Sequence, residues 1–392
     1  MSKFKVLKNP KNFTSAFGRR LFIEKQTGAN LSFVSGFSFT EEQVKNRNIE
    51  NLIGGVQIPL GVSAPLKING QFAKDEYYLP LATTEGALVA SVSRGAKAIT
   101  LAGGASVIVE NVGVTRGPVF ETASVNQAKE FTTWLDSHFL NLRNESRKTS
   151  CHINLLKIES KIVGKLVYCR FSFDTKDAMG MNMATKASDL MIRFIEQNTK
   201  IKCISIAGNY DVDKKPSFLN FIEGRGKKVN AEVLISEKIV TAVLKTTPDK
   251  IHDVCIKKCL IGSILSGSLG FNSHFANIIS AIFAATGQDL AHVTEGSLGL
   301  TTTKLEGKNL YINIYMPNLM VGVVGGGTTL PSQKAALSVL GIPDPKLKEG
   351  EQVLKFAEII GGAVLAGELS LLSALSAGQL AEAHERLGRG KI

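Results

Sequence analysis

The feature that most limits the fold is a nearly continuous apolar stretch near the end of the chain, from residue 359 to residue 377. Its length is barely enough to cross a membrane, and it contains Glu368 together with several glycines and serines. A second segment, Phe275–Thr286, is apolar on nearly every face, which is typical of a helix buried in a large core. We therefore expect a large mixed domain built around a buried central helix, and no membrane span.

The chain has 392 residues, which is too long for one simple core and indicates two or three domains. From residue 118 to 205, helix-like and strand-like pieces alternate approximately as β-α-β-β-α-β, the pattern of a ferredoxin-like (split βαβ) module. We predict an α+β protein with a helical N-terminal arm (1–52), a large domain (53–117 and 206–392) and a small inserted domain (118–205).

The net charge of +12 indicates an anionic partner. Because the basic residues are dispersed and form no stripe interleaved with aromatic residues, we expect a phosphorylated small molecule and no nucleic acid. The five cysteines form no C-x-x-C pair and show no zinc-ligand spacing, which is typical of reduced thiols in the cytoplasm. The first residues lack the apolar segment of a signal peptide, which also favours a cytoplasmic protein.

Two fragments far apart in the sequence carry acid and base groups. In residues 82–91, Glu85 precedes a run of small residues that favour a helix, and in residues 208–216 an Asp-Lys-Lys triplet lies in a loop bounded by glycine and proline. Reduction of a carbonyl needs a proton source and a cation for the oxygen that becomes negative, and these two groups could supply both. Taken singly, a glutamate at a helix start or a lone lysine is usually a solvated surface residue.

Asp289 is more informative, because it follows the all-apolar segment Phe275–Thr286 and is carried to the end of a buried element. An unpaired carboxylate is costly to bury there. A pair with Lys214 would remove that cost and hold the ammonium group in place, which gives both residues a functional reason to be present.

The standard nucleotide-binding fingerprints are missing. No G-x-G-x-x-G sequence follows a strand, and residues 262–267 have P-loop spacing but place Ser268 where the lysine is needed. Residues 177–183 instead join a strand to a helix, where Gly180 allows close approach and the helix N-terminus offers N–H groups to a phosphate. An ordinary glycine-containing turn is the alternative interpretation. The histidines show no metal-ligand spacing, so we expect no metal.

Eight blocks of the sequence resemble hydroxymethylglutaryl-CoA reductase, in the order of that family and from about residue 15 to the end. Met181, in the sequence Asp-Ala-Met-Gly-Met-Asn, resembles the class I branch of the family. So many long blocks in order are very specific. They cover residues 50–54, 80–97, 115–118, 177–182, 208–227, 287–289, 324–328 and 367–377.

The resemblance implies a reductive deacylation of hydroxymethylglutaryl-CoA to mevalonate and free coenzyme A, with two reduced nicotinamide cofactors, in the mevalonate route to isoprenoids. It places the substrate on the large domain and the NAD(P) cofactor on the small domain. The catalytic residues that it implies are Glu85, Lys214, Asp289 and His384. Its hydroxymethylglutaryl contacts are Arg116, Asp213, Lys215, Lys258 and Asn277, and its coenzyme A contacts are Ser91, Arg94, Lys97 and Lys245. Its cofactor contacts are Ser150, Asp177, Ala178, Met179, Gly180, Met181, Asn182, Gly325 and Gly326.

In this scheme Lys214 stabilises the oxyanion, Asp289 holds Lys214, and Glu85 protonates the new alcohol. His384 protonates the departing coenzyme A thiolate, and the tail (385–392) closes over the site. The resemblance also implies a homodimer, or a dimer of dimers, with residues 50–54 at the active-site interface.

Cys151 departs from the family pattern, since it replaces an arginine near the 2′-phosphate of the cofactor. We expect NADPH, with NADH as the alternative. Two other functions stay open at this point. The same fold could work oxidatively with NAD to degrade mevalonate, or the chain could be a basic binding protein without enzyme activity, which would leave the four catalytic residues unexplained.

Overall fold

The computed structural model describes residues 13–45 and 47–378 of the chain. The predicted catalytic residue His384 and the tail 385–392 lie outside the described residues, so the roles expected of them stay predictions. The described part mixes helices and strands throughout, in agreement with the expected fold class at that level.

Twelve strands are present in the described part. They are β1 (Leu60–Val62), β2 (Leu66–Asn69), β3 (Glu76–Tyr77), β4 (Pro80–Ala82), β5 (Ala105–Arg116), β6 (Val119–Glu121), β7 (Asn154–Val163), β8 (Leu166–Asp174), β9 (Lys202–Ser205), β10 (Arg225–Ile235), β11 (Leu300–Glu306) and β12 (Asn309–Leu319).

The described residues also form fourteen α-helices, several of them a single turn. They are α1 (Ala16–Thr27), α2 (Glu41–Val44), α3 (Leu88–Leu101), α4 (Val125–Ser137), α5 (Phe139–Arg147), α6 (Met181–Thr199), α7 (Phe218–Glu223), α8 (Glu237–Ile239), α9 (Pro248–Cys255), α10 (Ser263–Leu265), α11 (Phe275–Thr286), α12 (Val293–Gly296), α13 (Pro331–Val339) and α14 (Gln352–Ser376). Short 3₁₀ helices cover Ser32–Val34, Leu290–His292 and Gly326–Thr329, and π-helical turns cover Val240–Leu244 and Ile256–Gly262.

The strands form one large sheet and one small one. The large sheet follows the order β11-β12-β10-β5-β8-β6-β9, with β2, β3 and β7 paired onto it, and β1 pairs with β4 separately. From residue 309 to 316, alternate residues of β12 are buried, as expected for a strand with one face on a core. Two large hydrophobic cores flank the sheet. The first contains residues of α3, α11, α14, β10 and β12, and the second contains residues of α4, α6, β7 and β8.

Helix α14 is the buried central helix expected from the apolar stretch. It is long and apolar enough to cross a membrane by composition alone, but 83% of its most apolar window is buried inside the protein. Its two glutamates are buried as well, and both accept backbone N–H groups. Glu358 accepts from residues 71–73 at 2.7 to 2.9 Å, and Glu368 accepts from Ser273 at 2.7 Å and His274 at 2.6 Å. These bonds compensate the cost of burying a carboxylate in an apolar helix.

The small residues that follow Glu85 favour a helix, but the chain becomes helical only from Leu88 onward. Ala87, immediately before it, has a left-handed backbone with φ of 71° and breaks the helical path. Thr83 Oγ1 accepts the Glu85 N–H at 3.0 Å, so it closes a turn and does not cap the helix. Glu85 therefore lies exposed in the turn before α3.

Helix α3 packs directly on α14 through Gly95. A Cβ atom at this position would overlap the carbonyl oxygen of Ala366, so only glycine permits the approach. The close contact brings two predicted coenzyme A residues to Ser370: Ser91 Oγ lies 3.0 Å from Ser370 Oγ, and Arg94 Nη2 donates to Ser370 O at 2.7 Å.

We expect Gly95→Ala to lower the free energy of unfolding by about 1–3 kcal/mol or more, because the added methyl group has to push α3 away from α14. Gly36→Ala is the matched control, since Gly36 is exposed and a Cβ atom there meets nothing within 4 Å. Urea unfolding of the three proteins measures the effect. Equal stability of Gly95→Ala and the unmodified protein would contradict this account of the helix contact.

Candidate active site

Lys214 and Asp289 form an ion pair, with Nζ 2.7 Å from Oδ2 and the side chains 40% and 37% exposed. Helix α11 ends where Gly287 takes a left-handed conformation, and Asp289 then caps the next turn by accepting the Ala291 N–H at 3.1 Å. Burial raises the pKa of Asp289, but the hydrogen bonds from Lys214 and Ala291 act more strongly together and bring that pKa below its usual value. Asp289 is thus an ionised anchor for a partly exposed ammonium group.

The loop that carries Lys214 has an unusual backbone. Asn209, Val212 and Lys214 all have positive φ angles, which is rare for a β-branched residue such as Val212. Buried partners hold the loop in this form. Asn220 Nδ2 donates to Val212 O at 3.1 Å, and the Lys214 N–H donates to Glu295 Oε1 at 3.3 Å. The position of the ammonium group therefore depends on groups beneath the loop.

Glu295 is the centre of these buried groups and is itself fully buried. Its Oε1 accepts from Arg225 Nη1 at 2.6 Å and lies 2.6 Å from His292 Nδ1, and its Oε2 accepts from Asn220 at 3.3 Å. Arg225 also donates from Nε to Thr115 Oγ1 at 2.7 Å. Additional hydrogen bonds of this kind are what make a buried ion pair tolerable.

The sequence reasoning missed Arg225, His292 and Glu295 as members of the site. Each one alone looks like an ordinary surface charge or an isolated histidine. A signal was available in the spacing, since Asp289, His292 and Glu295 are three residues apart and so fall on one side of a helical turn. Arg225 had the weaker signal of lying between two glycines inside the block 208–227.

Asp213, His292 and Glu295 offer ligand atoms within 4.8 Å of one another, a spacing that could hold a metal ion. Arg225 already lies between the two carboxylates, with Nη2 3.0 Å from Asp213 and Nη1 2.6 Å from Glu295. Because the guanidinium group supplies the positive charge at this point, we interpret the cluster as a charge network and not as a metal centre.

Lys214 and Asp289 line a cavity of about 780 Å³. The same cavity is lined by predicted substrate and cofactor residues from several elements. These are Arg116, Asp213, Ala178, Met179, Gly180, Met181, Asn182, Gly325 and Gly326. The fold thus brings residues from five distant parts of the sequence to one cavity.

The connection between β8 and α6 forms one wall of this cavity. Gly180 has φ of 89° and precedes α6, so the first N–H groups of that helix are presented at the wall. Asp177, expected to contact the cofactor, accepts three backbone N–H groups. Its Oδ2 and Oδ1 accept the Gly350 and Val353 N–H groups at 2.8 and 3.0 Å, and its carbonyl accepts the Val323 N–H at 2.8 Å. Asp177 therefore fixes the connection to the start of α14.

Glu85 lies apart from the Lys214–Asp289 pair in the described structure. Its Oε1 accepts from Asn277 Nδ2 at 3.2 Å, and Asn277 Nδ2 is also 3.4 Å from His274 Nδ1. Two predicted residues, Glu85 and Asn277, are therefore brought together, but neither lines the 780 Å³ cavity.

The other predicted binding residues are distributed around the molecule. Arg116 lines the cavity and donates to Thr185 Oγ1 at 2.6 Å. Lys258 lines a separate depression of about 610 Å³ beside Pro216 and Ser263. The remaining ones lie outside the wall of the 780 Å³ cavity, namely Ser91, Arg94, Lys97, Ser150, Lys215 and Lys245.

Comparison with known proteins agrees with the resemblance seen in the sequence. The sequence profile of the hydroxymethylglutaryl-coenzyme A reductase family matches residues 15–389. The 3-hydroxy-3-methylglutaryl-coenzyme A reductase of Aeropyrum pernix is 52% identical over 380 residues, covering 96% of this chain and 90% of its own. The Methanocaldococcus jannaschii reductase is 50% identical over 377 residues, covering 95% of this chain and 92% of its own.

A solved structure supports the fold. The class II reductase from Streptococcus pneumoniae, bound to NADPH, aligns with a TM-score of 0.67 at 20% identity, covering 94% of this chain and 99% of that one. The sequence-based recognition is confirmed, and the chain belongs to the hydroxymethylglutaryl-coenzyme A reductase family.

Proposed function

We propose that the cavity around Lys214 and Asp289 is where this chain reduces hydroxymethylglutaryl-CoA to mevalonate and free coenzyme A, the reaction of its family. The observation that carries the proposal is the 2.7 Å ion pair, partly exposed to the same cavity as residues 178–182. An ammonium group held in place by a carboxylate can stabilise a developing oxyanion without having to reorganise first.

The reaction takes place in two reductions. In the first, hydride adds to the thioester carbon and Lys214 stabilises the oxygen, which gives a hemithioacetal. The carbon–sulfur bond then breaks, the carbonyl of mevaldehyde forms, and the coenzyme A thiolate needs a proton, which we assign to His384. In the second, hydride adds to the aldehyde carbon and the new alkoxide takes a proton, which we assign to Glu85. Because Glu85 does not line the cavity of its own chain, this assignment depends on the proposed dimer, with the active site at its interface. The Asn277 hydrogen bond is the contact that orients Glu85 for this role.

Kinship with proteins named as reductases favours reduction over the oxidative use of the same fold. Rates with NADP and NAD in both directions distinguish the two, since a degradative enzyme oxidises mevalonate with NAD faster than it reduces the thioester. A binding protein without activity would leave the strained lysine loop and its buried supports without a purpose.

We propose NADPH as the cofactor and residues 118–205 as an inserted ferredoxin-like module that binds it. Support for the module comes from the antiparallel strand order β9-β6-β8-β7. Support for NADPH comes from the NADPH complex of the Streptococcus pneumoniae reductase. Near Cys151, Arg147 is an exposed cation, whereas Lys148 is paired with Glu145 at 2.6 Å. We also propose that the protein acts in the cytoplasm, in line with its five free cysteines.

Lys214→Ala is expected to lower kcat by about 10²–10³-fold or more, because the oxyanion loses its cation. Lys308→Ala is the matched control, since Lys308 is exposed on the β11–β12 turn. Oxidation of NADPH in the presence of the thioester measures both. Activity of Lys214→Ala within threefold of the unmodified enzyme would remove Lys214 from the proposed role.

Cys151→Arg is expected to raise the ratio of kcat/KM for NADPH over NADH, because arginine can bind a 2′-phosphate through two hydrogen bonds and cysteine cannot. The gain is limited by Glu349, which pairs with the neighbouring His152 and brings a carboxylate close to this surface. Steady-state kinetics with each cofactor test the point. An unchanged ratio would show that position 151 lies outside the phosphate site, and a tenfold preference of the unmodified enzyme for NADH would contradict the proposed cofactor.

We propose that the chain forms a homodimer through the surface around residues 50–62. Phe33 and Val56 are 89% and 88% exposed there, beside an apolar groove of about 710 Å³. Exposed apolar side chains beside an apolar groove are typical of an interface. A dimer of dimers remains the alternative assembly.

Val56→Asp is expected to shift the protein toward monomer, because a charge buried in an apolar interface is costly. Val163→Asp is the matched control, since Val163 is 61% exposed on β7. Light scattering on the purified variants gives the mass directly. A Val56→Asp protein with the same mass as the unmodified one, or an unmodified protein that is monomeric, would contradict this surface.

A further inference from the structure

Arg170, on β8, is a buried cation that no step of the proposed reaction uses. Its side chain is 2% exposed, and Nη2 donates to Asn220 Oδ1 at 3.0 Å and to Gly224 O at 2.8 Å. Nη1 lies 3.5 Å from Glu159 Oε2, on the residue directly opposite Arg170 in β7. Nε has no hydrogen-bond partner among the described residues, so the two terminal nitrogens hold the guanidinium group in place.

Asn220 connects this arginine to the loop that carries Lys214. Its side chain is fully buried, and Nδ2 donates to Val212 O at 3.1 Å and to Glu295 Oε2 at 3.3 Å. A backbone carbonyl can only accept, so the amide has to present its NH₂ group to Val212 and its oxygen to the opposite side. Arg170 supplies the donor on that opposite side. The contacts at the two ends of the amide therefore agree on one orientation.

The bond to Val212 matters because the loop is strained. Val212 and Lys214 have φ angles of 50° and 56°. Residues other than glycine keep such a backbone only where the surroundings impose it. A flipped or displaced Asn220 amide would take the donor away from Val212 O and release part of that constraint. Arg170 is thus linked, through one side chain, to the position of the Lys214 ammonium group.

We propose that Arg170 is a positioning residue, which holds the Asn220 amide in the orientation that keeps the Lys214 loop in its strained form. The inference rests on the role proposed above for Lys214. From Arg170, β8 continues to Asp174 and then leads to residues 178–182 in the wall of the 780 Å³ cavity. One strand therefore supports both the ammonium group and the proposed cofactor wall. Arg170 itself does not line the cavity, so it makes and breaks no bond in the reaction.

The test is Arg170→Met in the full-length enzyme, measured with and without Lys214→Ala. Methionine is also long and unbranched but offers no donor to Asn220. We expect Arg170→Met to lower kcat by about tenfold to hundredfold, because the ammonium group moves away from the reacting oxygen. The KM values for the thioester and NADPH should change by less than about threefold, since uniform binding is untouched. When Lys214→Ala is already present, Arg170→Met should lower the remaining kcat by less than about twofold, because the group that it positions is gone.

Arg143→Met is the matched control. Arg143 Nε donates to Asn154 Oδ1 at 2.6 Å, so this variant also removes an arginine-to-asparagine bond from the region 118–205, and it should match the unmodified enzyme. A role for Arg170 in the stability of that region alone would raise the KM for NADPH, or lower kcat equally with and without Lys214→Ala. Either result would overturn the inference, and so would an unchanged kcat in Arg170→Met.

Removal of a buried charge can prevent folding, and Arg170→Lys takes the place of Arg170→Met if that variant does not fold. It keeps the positive charge beside Glu159, but its single nitrogen ends short of the position that Nη2 holds against Asn220. We expect kcat to decrease by about threefold or more with unchanged KM values. An unchanged kcat in this variant contradicts the positioning role. Lys214→Ala alone separates that failure from failure of the proposed function, because an active Lys214→Ala enzyme contradicts the latter whatever the Arg170 variants do.

Discussion

The active-site geometry depends on a carboxylate in the middle of the buried central helix. Glu368 accepts the Ser273 and His274 N–H groups at the start of α11 and the Thr301 hydroxyl at 2.7 Å. The first N–H groups of a helix have no partner within the helix, so in a dry core they need an acceptor from elsewhere. Glu368 supplies it and thereby fixes the start of α11, the helix that carries Asn277 near one end and leads to Asp289 at the other.

A second buried group of charges fixes the loop that faces α11. Lys214 reaches the cavity only because its loop keeps positive φ angles, and Glu295, Arg225 and Asn220 hold that loop from below. Strained backbone persists where the surroundings overdetermine it. The ion pair at the wall of the cavity is therefore the exposed part of a network in which Glu295, Arg225 and Asn220 are fully buried.

Much of the large-scale organisation could be predicted from the sequence, because it depends on hydrophobic pattern. The apolar segments that form α11 and α14 show a burial signal on every face. The Lys214–Asp289 pair was expected from the cost of burying a carboxylate, whereas the Asp289 side chain is 37% exposed. The start of α3 could not be predicted, because the small residues before Leu88 are compatible with a helix. The helix begins only at Leu88 because Ala87 has a left-handed backbone conformation. The buried charges were missed because the residue types of Arg225 and Glu295 are the same as those of ordinary surface charges. Only their neighbours in the folded protein show that they are buried.

The contacts of Asp177 could not be predicted from the sequence for the same reason. The resemblance assigned it to the cofactor, whereas both of its carboxylate oxygens accept N–H groups at the start of α14. This capping role depends on Gly350 and Val353, which lie 173 and 176 positions away from Asp177 in the chain. A local sequence pattern gives no information about such distant residues.

These contacts connect α11 and α14 near both ends of α11 and so determine where the cavity lies. From Val353 to Glu368, α14 rises roughly 22 Å, and α11 rises roughly 18 Å from the end held by Glu368. The far end of α11 then returns to the start of α14, since Gln288 pairs with Gly322 at 2.9 Å and the next residue, Val323, donates to Asp177 O. Because these two helical segments have similar lengths and are joined at both ends, they act as rigid spacers. Asp289 is consequently held beside the connection between β8 and α6, and a slip of either helix along the other would separate the ammonium group from that wall of the cavity.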